Sequence, residues 1–133
     1  TAADARAAIV DPTRGEEEKL EAWGALRHIE PWGDDVVLEM IRIGETAEDE
    51  AIRADVWRQA DGKDRSVLLV RPLLNALASD LSEAVRSEAA ETLANYLDEA
   101  GVRTALEHAA GHDASEEVRD EARQSLGQRD RFE

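Results

Sequence analysis

Apolar residues recur along the chain at intervals of three and four, with polar residues between them. This spacing places the apolar groups on one face of a helix. No segment alternates apolar and polar residues for long enough to predict a strand. The pattern therefore predicts an all-α chain. The clearest runs flank the polar turn at residues 79–82, with Val70, Leu73, Leu74, Leu77 and Leu81 before it and Val85, Ala89, Leu93 and Leu97 after it.

The pattern repeats at an offset of 33 residues. Two short helices cannot bury an apolar stripe by themselves, so successive pairs are expected to stack. We predict a solenoid of about four stacked helical hairpins, a single domain over residues 1–133. Its units span residues 2–28, which match loosely, and then 34–61, 66–97 and 100–127. The aligned segments are Ile52-Arg53-x-Asp55, Val85-Arg86-x-Glu88 and Val118-Arg119-x-Glu121, with a weaker copy at Lys19-x-x-Ala22-Trp23.

The third unit carries the fullest signature of the repeat. It reads Pro72-Leu73-Leu74-x-x-Leu77-x-x-Asp80-x-x-x-x-Val85-Arg86-x-x-Ala89-Ala90-x-x-Leu93. This pattern resembles HEAT-like helical repeats, including the short repeats associated with phycobilisome lyases. The fourth unit keeps Asp113 and Val118-Arg119 but lacks the proline, and the second has Ala47 in place of the aspartate. The resemblance implies that the solenoid is a right-handed α-α superhelix.

The signature also predicts a structural ladder of charged pairs. Asp80 and Asp113 fall in the turns between paired helices, six residues before Arg86 and Arg119. A carboxylate in such a turn is favoured by the first amides of the next helix and can meet an arginine across its start. We therefore predict that Asp80 pairs with Arg86 and Asp113 with Arg119, and that Arg53 takes the equivalent position in the second unit.

The charge of the chain limits its partners. Sixteen lysines and arginines face 31 carboxylates, for a formal net charge of −15. Phosphate groups would be repelled, so no nucleic-acid partner is expected. The absence of cysteine excludes thiol catalysis, disulfides and cysteine-bound metals. No window is apolar enough to predict membrane insertion. The sequence favours a cytoplasmic over an extracytoplasmic location, suggests a piece of a larger protein and leaves the oligomeric state open.

Candidate chemistry is sparse. His108 and His112 have the spacing that places two imidazoles on one helical face for a metal, but Gly111 is expected to interrupt the helix and no glutamate stands where a metalloprotease needs its base. No glycine-rich phosphate loop or nucleophile elbow is present. We predict that the chain is not an enzyme and has no catalytic residues, cofactor or metal site. Trp23 and Trp57 are expected in the core.

A partner is expected on the face formed by the second helices, the concave face of such a solenoid. Residues 33 apart form three columns there, two of them uniformly acidic. Such a face suits a basic peptide or protein segment, although the columns can also be merely hydrated helix surfaces. The sequence thus predicts a protein-interaction scaffold, or alternatively an accessory domain that supports an enzyme, such as a lyase-like cofactor chaperone. The columns are Glu50, Glu83 and Glu116; Asp55, Glu88 and Glu121; and Arg58, Glu91 and Gln124.

Overall fold

The chain folds into α-helices packed in consecutive pairs. A computed structural model describes residues 1–26, 32–61 and 65–130. Within these ranges there are eight α-helices and no strand, so the predicted all-α array of about four hairpins is confirmed. The helices are α1 (Ala2–Val10), α2 (Glu16–Leu26), α3 (Asp34–Thr46), α4 (Glu50–Gln59), α5 (Val70–Ser79), α6 (Glu83–Thr92), α7 (Val102–His112) and α8 (Glu116–Asp130).

Side-chain caps fix where the second helices begin. The Ser82 hydroxyl accepts the Val85 N–H at 3.4 Å before α6, and the Ser115 hydroxyl accepts the Val118 N–H at 3.3 Å before α8. Before α4 this role falls to Asp49. The first amides of a helix have no partner within it, so these caps satisfy groups that would otherwise remain unbonded. These three second helices therefore start at the same place in their repeats.

The second helices form the tighter side of the stack. Among the described helices, α4, α6 and α8 pack against one another more extensively than the first helices α3, α5 and α7 do. Close packing on one side is the arrangement expected at the inner side of a curved stack. Small side chains permit this approach, since Ala89, Ala90 and Ala122 are fully buried. The predicted partner-binding residues belong to these closely packed second helices.

Two buried hydroxyls join neighbouring second helices. Thr92 Oγ1 donates to the carbonyl oxygen of Trp57 at 2.8 Å, and Ser125 Oγ donates to that of Ala90, also at 2.8 Å. Each carbonyl lies in the last turn of its helix, where backbone oxygens lack a partner within the helix. The two bonds occupy equivalent positions in successive repeats. They satisfy these oxygens and set the distance between helices along the stack.

The charged ladder exists, but its pairs differ from the predicted ones. Arg53 binds Asp80 through two bonds of 3.0 Å. Arg86 binds Asp113 in the same way, at 3.0 and 3.2 Å. Each aspartate therefore accepts an arginine from the preceding hairpin, 27 residues earlier. The predicted side-chain pairs, Asp80 with Arg86 and Asp113 with Arg119, are wrong.

The geometry of the turn explains this stagger. Within its own repeat, each arginine donates Nη1 to the backbone carbonyl of the turn residue six positions earlier: Arg86 to Asp80 at 2.9 Å and Arg119 to Asp113 at 2.7 Å. This leaves the other edge of the Arg86 guanidinium, Nε and Nη2, for a carboxylate of the next hairpin. Because the carboxylates also accept the backbone N–H of Ser82 and Ser115, each turn is held from two sides.

The ladder also affects ionisation. Burial alone would raise the pKa of Asp80, but the bonds from Arg53 and from the Ser82 N–H hold that pKa below its ordinary value. In the first, degenerate unit, Lys19 takes the place of the arginine. Its side chain is buried and pairs with Glu39 of α3. Lys19, Arg53 and Arg86 therefore each pair with a carboxylate of the following hairpin.

Candidate functional site

The predicted partner-binding residues lie along α4, α6 and α8, as their spacing required. The three columns of the sequence form three rows of side chains across these helices. The first row consists of Glu50, Glu83 and Glu116, which occupy the first turns of the three helices and are exposed. The helix dipole favours a carboxylate at this position. This row therefore has a structural reason for its charge, independent of any partner.

The second row consists of Asp55, Glu88 and Glu121, and its negative charge is unevenly distributed along the row. Asp55, on α4, pairs with Arg58 and accepts a bond from Gln59 Nε2 at 3.0 Å. Its charge is therefore offset within its own helix. Glu88 and Glu121 hold the equivalent positions on α6 and α8, and both are only partly exposed. Glu88 Oε2 is buried without a hydrogen-bond partner. The negative charge of the row is consequently concentrated at its α6 and α8 end.

Glu88, Glu91, Glu121 and Asp61 form what we call the acidic cluster. Burial raises the pKa of Glu88 and of Glu121, and the carboxylates of Glu91 and Asp61 raise both further. Arg58 acts in the opposite direction on Glu88. Carboxylates whose pKa is raised by their neighbours are destabilised in the charged form, so a cation placed among them would be bound favourably.

Sequence columns alone did not identify the whole cluster. Asp61 lies just after the end of α4 and has no acidic counterpart 33 residues later, where Ala94 stands. It was missed because only positions inside the second helices were compared. Asp61 is three residues beyond Arg58, and this spacing keeps two side chains on one helix face. The spacing could therefore have placed Asp61 beside Arg58 from the sequence alone. Gln124, predicted with Arg58 and Glu91, is exposed on α8.

The cluster predicts a pH-dependent stability. A raised pKa means that folded Glu88 holds its proton more tightly than the unfolded chain does, so the free energy of unfolding falls as pH rises through the ordinary value of 4.5 and the raised value above it. Glu88→Gln is expected to remove this loss and to raise stability near neutral pH by about 0.3 kcal/mol, the size of a like-charge contact on a helix. Chemical denaturation at about pH 4 and about pH 7 measures it.

Glu107→Gln is the matched control for this prediction. Glu107 is exposed on α7, outside the acidic cluster. The substitution removes the same charge, so any change in stability that comes from net charge alone appears in both variants. A stability gain at neutral pH that is equal in the two variants would contradict local repulsion at Glu88.

A groove lies between α5 and α7. It has a volume of about 870 Å³ and mostly apolar walls, with Ser79, Thr104 and the ladder residues at its polar edges. His108 and His112 line its α7 side, with ring centroids 4.7 Å apart. In the ranges that the structure describes, no group of three or more histidine, aspartate or glutamate side chains is arranged to hold a metal ion.

Comparison with known proteins identifies the repeat. The family model for HEAT repeats matches residues 45–127, from the end of α3 into α8 and more than half of the chain. No curated protein and no solved structure matches the chain. Within the described residues, no helix is long and apolar enough to cross a bilayer. HEAT repeats are commonly protein-interaction scaffolds and usually non-catalytic. With this match and its stack of hairpins, the chain belongs to the HEAT-repeat family.

Proposed function

We propose that this chain is a non-enzymatic interaction scaffold whose second-helix face docks a basic peptide or protein segment. The observation that carries the proposal is the acidic cluster. Its carboxylates come from α6, α8 and the segment after α4, so it extends across three hairpins. An extended partner can contact several repeats at once on such a surface. The other residues of the rows then flank the docked segment.

Charge supports the same partner class. The net charge of −15 attracts a basic segment from a distance and speeds its encounter with the chain. At contact, an arginine or lysine would pair with the partly exposed carboxylates of Glu88 and Glu121. An arginine can also bind a carboxylate through two parallel bonds. Because exposed charges are screened by salt, the affinity should fall as ionic strength rises.

The alternative function, an accessory domain that holds a cofactor for an enzyme, would use the groove between α5 and α7. The volume and apolar walls of the groove are the observations in its favour. Pockets for small molecules, however, bury most of the surface of their ligand. This groove is open at the edge marked by Leu81, which is 97% exposed. Its open shape suits a protein segment better than a cofactor, so we prefer the scaffold.

Charge reversal in the cluster tests the proposal. The double substitution Glu88→Lys and Glu121→Lys is expected to weaken binding of a fluorescein-labelled nona-arginine peptide by about tenfold, or roughly 1.4 kcal/mol. The reason is that two attractive contacts become repulsive at the point where the peptide is held. Fluorescence polarisation at low and high salt measures the affinity and its screening.

The control carries the same change in net charge at a different place. Glu45 and Glu107 are exposed on the first helices α3 and α7, away from the second-helix face. Glu45→Lys together with Glu107→Lys is expected to change the affinity much less than the reversal in the cluster. Equal weakening by both double variants would show that the peptide responds to net charge only, and unchanged binding in the cluster variant would exclude the docking face.

A further inference from the structure

The groove between α5 and α7 is an apolar surface that the packing of the hairpins leaves open. Leu81, in the turn after α5, lies at its edge with 97% of its surface exposed. A single exposed leucine is ordinary, but a group of apolar residues around an open groove marks a binding surface. The apolar walls are Leu74, Leu77, Ala78 and Leu81 on one side and Ala105 and Ala109 on the other.

The repeat itself does not require this groove to be apolar. The residues 33 positions before and after Leu81 are Glu48 and Ala114, both exposed. Glu45 likewise lies where the third hairpin has Ala78. An exposed leucine buries almost no surface in the folded chain and so adds little to its stability. The apolar character of this groove is therefore a property of the third and fourth hairpins, separate from the stacking of the repeat.

The ionised groups that line the groove are already paired. Among its described lining residues these groups are the carboxylates of Asp80 and Asp113 and the guanidinium of Arg86. Arg86 binds Asp113 through two bonds, and Arg53 binds Asp80 in the same way. A charged side chain pressed against these walls would lose its water without gaining a partner, whereas an apolar side chain would not. The walls therefore favour an apolar occupant.

The surface around the groove is acidic. Glu107 is exposed on α7, the helix that forms one wall. Glu116 and Glu117 are exposed in the first turn of α8, two and three residues after the groove residue Ala114. The exposed cation of the two wall helices is Arg71. In a chain whose formal net charge is −15 with histidine counted as neutral, cationic side chains beside the groove are therefore attracted and carboxylates are repelled.

We propose that the groove between α5 and α7 docks an amphipathic helix of a partner protein, with leucine-type side chains along one stripe and lysines or arginines beside it. The apolar walls receive the stripe, as in other helix-in-groove complexes. The cationic flanks lie toward the carboxylates around the groove, which gives the charge complementarity. This surface is made by the first helices and the turn after α5, so it is separate from the second-helix face proposed above for a basic segment.

The dimensions of the groove agree with a short helix. Helix α5 has 10 residues and α7 has 11, so each wall is about 15 Å long at 1.5 Å per residue. A helix of about three turns covers that length and presents anchors at positions i, i+3 or i+4, and i+7. A second copy of this chain fits less well, because two molecules of charge −15 repel each other, whereas a helix with cationic flanks is attracted.

A panel of labelled helical peptides tests the proposal. The main probe has a leucine stripe flanked by lysines. Two comparison peptides carry glutamine or glutamate flanks, and a third keeps the lysines but has asparagine in place of the stripe leucines. Fluorescence polarisation is expected to show the tightest binding for the main probe. Binding of the asparagine-stripe peptide should be about tenfold weaker although its charge is the same, because it lacks the apolar anchors.

Leu81→Asp separates the apolar anchor from charge. The substitution adds a negative charge, so electrostatics alone would tighten binding of the lysine-flanked peptide. Loss of the apolar contact is expected instead to weaken that binding about tenfold. Because Leu81 is exposed, the variant should fold normally, which thermal melting verifies. Leu38→Asp is the matched control, since it places the same charge at another leucine, 55% exposed on α3 and outside the groove, and should not weaken binding.

The nona-arginine peptide distinguishes this groove from the second-helix face. It has no apolar stripe, so Leu81→Asp should not weaken its binding. The lysine-flanked leucine peptide should in turn keep its dependence on Leu81 when Glu88→Lys and Glu121→Lys are also present. The groove and the acidic cluster can therefore fail or succeed independently in these measurements.

Three results would overturn the proposal. The first is binding of the lysine-flanked peptide that neither Leu81→Asp nor the asparagine stripe weakens, which would show attraction by charge alone. The second is equal or tighter binding of the glutamate-flanked peptide with the same dependence on Leu81, which would reverse the partner chemistry. The third is a dimer of the chain alone in sedimentation equilibrium that Leu81→Asp dissociates, which would make a second copy the occupant.

Discussion

Replacing Arg86 with methionine is expected to lower the free energy of unfolding by about 3 kcal/mol. Arg86 is 15% exposed and Asp113 is 9% exposed, so the pair is largely removed from water. Methionine keeps part of the side-chain volume but removes the two bonds that Arg86 donates to the Asp113 carboxylate, and it leaves the carbonyl oxygen of Asp80 without the Arg86 donor. A buried charge that loses its partner is far more costly than the net contribution of the intact pair.

Arg119 provides the matched control. It occupies the same position in its repeat as Arg86 and donates to the Asp113 carbonyl oxygen at 2.7 Å. In the described part of the chain, no carboxylate pairs with its guanidinium. Arg119→Met is therefore expected to remove one hydrogen bond and to cost about 1 kcal/mol. Urea denaturation of both variants measures the difference. Equal losses would mean that the bond to the next hairpin contributes nothing beyond the carbonyl bond.

The architecture could be predicted from the sequence because each hairpin is specified locally. The spacing of apolar residues, the turn aspartates and the offset of 33 residues can all be recognised directly in the sequence. The burial of Trp23 and Trp57 followed from the same periodicity and is confirmed. The match to HEAT repeats covers residues 45–127, where the sequence signature is also clearest.

The pairing within the ladder could not be predicted in the same way. Sequence spacing suggested Arg86 and Asp80 because they are neighbours around one turn, whereas the actual partner of Arg86 lies 27 residues later. Choosing between the two requires the rotation between successive hairpins and the direction of the guanidinium, and neither is visible in a one-dimensional pattern. The acidic cluster was incomplete for a related reason, since Asp61 joins it from outside the helix that its neighbours Asp55 and Arg58 occupy.

The second large effect concerns the packing of Gly44 in α3 against Trp57 in α4. A Cβ atom added at Gly44 would lie 2.5 Å from Cζ2 of the Trp57 ring, closer than real side chains approach. Trp57 is fully buried and cannot move aside without disturbing its neighbours. Gly44→Ala is therefore expected to cost about 2 kcal/mol, the cost of overpacking a core. Gly111→Ala is the control, because a Cβ at that helical position meets nothing within 4 Å, and it should raise stability by up to about 1 kcal/mol.

The third hairpin suggests how the Gly44 and Trp57 positions compensate each other. It carries Leu77 and Ala90 at the equivalent positions, so the large and small residues are exchanged between the paired helices. Trp57→Ala alone should leave a cavity and cost about 4 kcal/mol. Adding Gly44→Leu should fill much of that cavity and recover part of the loss. A double-mutant cycle measures the recovery as a coupling energy. We expect this energy to exceed about 1 kcal/mol, which is within the range found for residues in contact. Additive losses would mean that the two positions do not share one packing volume.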